Sequence, residues 1–106
     1  MRIYLDTAVI IYIVETVEPF VTMARNRLRS PDIDQVGSDL SRLECRVKPV
    51  RDGNAILLAA YDHYFDVIAS EVLPLSRAVI DRATALRAHY GFKTPDALHL
   101  AAAMYS

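Results

Sequence analysis

Short apolar segments alternate with helix-length segments along this chain, and most of the joins between them carry their own start or stop signal. Ile3 to Leu5, in the apolar stretch Arg2–Leu5, reads as a buried strand, and Asp6-Thr7 follows at once as an N-terminal cap. The next run, Val9 to Val14, is apolar almost throughout, so periodicity does not separate strand from buried helix, and the cap favours a short helix. Pro19 starts a second helix to about Arg29, with Phe20, Met23, Ala24 and Leu28 on one face, and Ser30-Pro31-Asp32 breaks it. Ile33 to Gly37 is a weaker strand candidate. Ser38 or Asp39 caps a helix in which Leu40, Leu43 and Val47 recur at helical spacing toward the core, and Pro49 ends it.

A turn at Arg51-Asp52-Gly53-Asn54 leads into an amphipathic helix from Ala55 to about Val67. Val72 to Leu75 is a short strand whose Pro74 places it at an edge or a strand end. Ser76 caps a helix through about His89 with Val79, Ile80, Ala83 and Leu86 inward, and Gly91 terminates it. Thr94 and Pro95 form an N-cap and first-turn pair for the last helix. Strands alternating with helices predict an α/β sandwich with a mainly parallel sheet. In such sheets ligands bind beyond the carboxyl ends of the strands, which is where Asp6 falls.

Length limits the chain to a single domain spanning residues 1–106, with 53% hydrophobic and 24% charged residues, as in soluble globular proteins. No apolar run approaches the ~20 residues of a membrane-spanning helix. The first residues lack the regions of a signal peptide. Cys45 is the single cysteine, which excludes an intrachain disulfide and a cysteine zinc cluster and makes the cytoplasm the expected compartment. A net charge of −1 argues against a generally basic nucleic-acid coat, although two local patches exist: Arg42, Arg46, Lys48 and Arg51, and Arg77, Arg82, Arg87 and Lys93. Taken singly, most of these read as solvated helix faces.

Three acids sit where catalytic groups would be wanted. Asp6 follows a strand and precedes a helix, and it reads equally as a metal ligand or as a helix cap. Glu44 adjoins the Leu40–Leu43–Val47 stripe and reaches into a cleft or lies exposed. Asp96 falls in the first turn of the last helix, where an acid is favoured by roughly 0.3–1 kcal/mol in any case. If the three converged, each pair at ~5 Å and an effective dielectric of ~20 would repel by on the order of 3 kcal/mol. A divalent cation offsets that repulsion, so the trio points to a metal-dependent hydrolase. His99, one turn past Asp96, would orient a carboxylate or bind metal, against the commoner role of a packed, hydrogen-bonded histidine. Ser38 and Ser41 lack a histidine–acid set, Cys45 reads as a small core residue, and no glycine-rich phosphate loop exists.

Tyr4-Leu5-Asp6-Thr7-Ala8-Val9-Ile10, Ser41-Arg42-Leu43-Glu44-Cys45 and Lys93-Thr94-Pro95-Asp96-Ala97-Leu98-His99-Leu100-Ala101, in this order and at these separations, resemble the PIN-domain ribonucleases. The likeness is strongest to the VapC-like toxins of type II toxin–antitoxin modules. The resemblance implies a PIN-like three-layer sandwich. It implies that Asp6, Glu44 and Asp96 hold Mg²⁺ or Mn²⁺ for hydrolysis of RNA phosphodiesters, with Thr7 assisting beside the first acid. It further implies an RNA substrate, contacted by Arg46, Lys48 and Arg51, and a cognate antitoxin as partner.

Two departures from the family pattern stand out. Ala8 replaces a small polar residue, and the chain stops after the helix carrying Asp96, where the family continues into C-terminal strands and a fourth acid. The expectation is an open edge on the first strand and self-association into a homo-oligomer. The competing readings are a degenerate PIN domain that binds RNA or protein without cleaving, and an unrelated α/β interaction domain whose acids are caps and surface charges.

Overall fold

The structure, a computed structural model, describes residues 1–105; Ser106, included in the expected domain, lies outside the described residues. In chain order the elements are β1 (Arg2–Tyr4), α1 (Thr7–Val14), α2 (Phe20–Arg27), β2 (Asp34–Ser38), α3 (Asp39–Arg51), α4 (Ala55–His63), β3 (Glu71–Leu73), α5 (Arg77–Tyr90) and α6 (Thr94–Met104). The three strands form one parallel sheet in the order β1-β2-β3, with Arg2 opposite Asp34 and Val36 opposite Glu71. An α/β sandwich with helices on both faces of a parallel sheet is the architecture expected from the alternation of strands and helices.

Side chains alternate across the strands, and that alternation divides the core in two. Ile3, Leu5 and Val72 face α1, α3 and α4, where they meet Ile10, Cys45, Tyr61, Tyr64 and Phe65. Tyr4, Val36 and Leu73 face α5 and α6, where they meet Val79, Ala83, Ala97, Ala101 and Ala102. Gly37 belongs to the first face by its closest approach: a Cβ there would lie 3.2 Å from Phe65 Cε1, so the absent side chain makes room for the ring.

Four of the start and stop signals hold. Asp6 accepts from the Val9 amide at 3.1 Å, Ser38 from Ser41 at 3.1 Å and Ser76 from Val79 at 3.2 Å. Gly91 ends α5 in the left-handed conformation at φ 70°. The last helix departs from expectation: Lys93 occupies the cap position without a side-chain bond, and Thr94 is already helical.

The inward assignments of Leu43, Val47 and Ile80 fail for tertiary reasons, and the apolar face read in α2 is exposed at Phe20 and Met23. In α3, Leu43 and Val47 are 59% and 51% exposed, whereas Leu40, Ser41, Cys45 and Pro49 are buried. The helix is therefore rotated away from its most apolar stripe. Pro49 does not end it; the helix runs two residues further, and the proline ring is itself part of the core. Met23 and Ile80 are likewise exposed, while the neighbouring Val21 and Val79 point inward. Beyond His63, α4 continues as a single π-helical turn, Tyr64–Ile68, which buries the adjacent Tyr64 and Phe65 together.

Candidate active site

The carboxyl ends of β1 and β2 carry the polar groups. β1 turns at Leu5 and delivers Asp6 and Thr7 to the start of α1; β2 ends at Ser38, which caps α3 and sets Glu44 one and a half turns into that helix. From the opposite face of the sheet, α6 brings His99. The alanines at 97, 101 and 102 are buried, and their small size lets α6 lie close to the sheet.

These elements meet at the Glu44 carboxylate. Thr7 Oγ1 donates to Glu44 Oε1 at 2.6 Å, and His99 Nε2 lies 2.7 Å from the same oxygen. Thr7 Oγ1 and His99 Nε2 are 3.3 Å apart. On its other side His99 Nδ1 lies 2.7 Å from Tyr4 Oη, which is 2.9 Å from Ser38 Oγ, itself 3.1 Å from Ser41 Oγ. The Glu44 side chain keeps 30% of its surface exposed and the His99 ring 16%, so the acid borders solvent while the imidazole is largely enclosed. His99 thus orients a carboxylate rather than serving only to pack the helix.

Asp6 and Asp96 differ from Glu44. Asp6 is exposed and spends one oxygen on the cap of α1. Asp96 is exposed in the first turn of α6, three residues before His99 and so on the same side of that helix. Asp6 and Glu44 act on a common neighbour: the Tyr4 phenol is pushed up from its usual range chiefly by burial, with the charges of Asp6 and Glu44 adding to the shift. Among the described residues no three His, Cys, Asp or Glu side chains form a ready-made metal cluster. As donors, three carboxylates suit a hard cation such as Mg²⁺ or Mn²⁺.

The basic residues separate. Arg46 Nε bonds Asp62 at 2.8 Å, with Arg42 3.8 Å from the same oxygen, so the Arg46 guanidinium is turned toward α4. Lys48 lies one turn after Glu44 and Arg51 two turns after, on Glu44's side of α3. In the second patch Arg87 donates to the Phe92 carbonyl and Arg82 lies over the Tyr105 ring, so both are used within the fold. Burial pushes the Cys45 thiol up to about 12, consistent with a packed core residue.

Tyr4, Ser38 and Ser41 were not legible as site residues. The available signal was parity: Tyr4 has the opposite parity to Ile3 and Leu5 and so carries its hydroxyl to the other face of the sheet. No curated protein and no solved structure gives a significant match to this chain. The PIN domain family model matches residues 3–106, a span that takes in β1, the Glu44 helix and the Asp96 helix. With that match over nearly its whole length, on a parallel sheet whose carboxyl edge gathers Thr7, Glu44 and His99, the chain belongs to the PIN domain family, a nuclease-type fold whose members usually bind divalent metal.

Proposed function

We propose that this protein is a Mg²⁺- or Mn²⁺-dependent endoribonuclease that cleaves RNA phosphodiester bonds in the cytoplasm as the toxin of a toxin–antitoxin pair. The observation that carries the reading is the fixing of Glu44 by Thr7 and His99, which draws the helices that begin beside Asp6 and Asp96 to one acid. Asp6, Glu44 and Asp96 would hold the cation, whose chemistry is to activate water and stabilise charge on the scissile phosphate. Thr7, which donates to the Glu44 carboxylate, and His99, 2.7 Å from the same oxygen, hold that carboxylate aimed. Lys48 offers positive charge on Glu44's side of α3 for the RNA backbone, with Arg46 and Arg51 lesser contributors because of Asp62 and Asp52.

The test is cleavage of a mixed RNA pool. Activity should require Mg²⁺ or Mn²⁺, stop with EDTA and fall at least a hundredfold in Asp6→Asn and in Asp96→Asn. Cleavage that survives both substitutions removes the assignment.

A second reading is favoured by the absence of a gathered metal cluster among the described residues and by Ala8: a PIN domain that binds RNA or protein without turnover. It predicts weak Mn²⁺ binding with no cleavage. The antitoxin and a second copy of the chain are the protein partners we propose. In support of self-association, β1 pairs only with β2 among the described residues, and beside it Ile3, Leu5, Val9, Tyr12, Phe20 and Met23 line an open apolar cleft of about 460 Å³. A monodisperse monomer in light scattering would count against that association.

A further inference from the structure

The Glu44 carboxylate is the last member of a hydrogen-bond chain that begins in the core. Among the described residues Ser38 and Ser41 are buried polar side chains, both 0% exposed, and neither has an unsatisfied polar atom. From them the chain runs through Tyr4 Oη to His99 Nδ1, and from His99 Nε2 to Glu44 Oε1, with successive separations of 2.9, 2.7 and 2.7 Å. It joins the start of α3 to α6 by way of β1, residues 95 apart in sequence at the Tyr4–His99 step.

With a neutral imidazole at His99, the proton directions follow from the carboxylate end. An ionised carboxylate only accepts, so Thr7 and His99 Nε2 both donate to Glu44. With its proton on Nε2, His99 offers Nδ1 as an acceptor, and the Tyr4 hydroxyl donates to it. The Tyr4 oxygen then accepts from Ser38, and Ser38 Oγ accepts from the Ser41 amide and hydroxyl. Each donor has one acceptor and none is left over.

We propose that Tyr4 and His99 are positioning residues that fix the Glu44 carboxylate for a divalent cation, with the buried Ser38–Ser41 pair as the anchor. The proposal rests on the metal-dependent reading only where it names the cation. A packed tyrosine needs no hydroxyl to fill its space, and a helix histidine needs no carboxylate; here the Tyr4 hydroxyl is spent on His99, and His99 on Glu44. Such outer partners of ligating groups alter metal affinity by ~10–100-fold when removed.

The experiment measures Mn²⁺ binding to the protein without RNA, by calorimetry or electron paramagnetic resonance, beside thermal unfolding of each variant. Tyr4→Phe keeps the ring and removes only the hydroxyl; it should weaken Mn²⁺ at least tenfold with little change in melting temperature. His99→Leu should weaken it more. His99→Gln, which supplies an amide donor toward Glu44 and a carbonyl acceptor for Tyr4, should restore part of the loss. Ser38→Ala should act in the same direction by a smaller factor. Equal affinity in wild type and Tyr4→Phe, or no difference between His99→Gln and His99→Leu, overturns the proposal. If the wild type binds no Mn²⁺, the metal reading falls by itself, and the positioning role is read from the His99 Nε2–H resonance. A resonance protected in wild type and exchange-broadened in Tyr4→Phe supports the role; one unchanged by that substitution overturns it.

Discussion

The two faces of the sheet are packed by different kinds of side chain. Toward α1, α3 and α4 the sheet meets large groups, Tyr61, Tyr64, Phe65 and Ile10, with Gly37 reduced to backbone so that the Phe65 ring fits. Toward α5 and α6 it meets mostly alanine, and the polar chain from Ser38 through Tyr4 to His99 runs along that side. The first face supplies buried apolar area; the second supplies closeness. Only a helix of small residues lies near enough to the sheet for His99 to reach across it to Glu44.

Alkaline pH strikes the aromatic face hardest. Burial pushes Cys45 up to about 12 from 9.0 and Tyr64 up to about 12 from 10.0, and Tyr61 is raised as well by burial and its bond to Glu15. These groups stay neutral in the fold and ionise in the unfolded chain. Their contribution is therefore intact below about pH 9 and is lost as pH rises toward about 12. At ~1.4 kcal/mol for each pH unit between the two values, the loss is on the order of several kcal/mol. Urea midpoints measured from pH 8 to pH 12 should fall steeply; a flat profile would mean that these side chains reach water.

Phe65→Ala should follow in size, at about 3–5 kcal/mol in urea unfolding, because it empties the space that Gly37 is shaped around. Ala101→Leu probes the other face by overpacking. It should cost about 1–3 kcal/mol and, by pushing α6 outward, should weaken Mn²⁺ binding as well. If stability falls but metal binding does not, closeness of α6 is not what positions the site. The smallest effect is expected at the acids themselves. Asp96→Asn should lower stability by no more than about 0.3–1 kcal/mol, the contribution of a charge in a first helical turn, while removing cleavage.

Much of the fold was legible because its signals are local. Asp6, Ser38 and Ser76 bond amides three residues away, and Gly91 takes a conformation its lack of a Cβ allows, so each could be read without knowing the rest of the molecule. The rotation of α3 was not legible. Leu43 and Val47 form the more hydrophobic stripe, yet the sheet and α4 select Ser41, Cys45 and Pro49. A buried serine is tolerable there only because Ser38, at the end of β2, receives it. The π-helical turn was hidden for a similar reason: adjacent aromatic residues do not reveal that both must be buried.

At the site, sequence by itself determined the residue types, the acids at 6, 44 and 96, and their attachment to particular elements. Those follow from chain order and short-range capping. Tertiary structure alone decided that Glu44 is the acid held in place, that Asp6 and Asp96 remain exposed, and that Arg46 turns to Asp62. The reason is physical distance: a hydrogen bond acts over about 3 Å, and only packing brings Tyr4, Ser38, Glu44 and His99 within that reach.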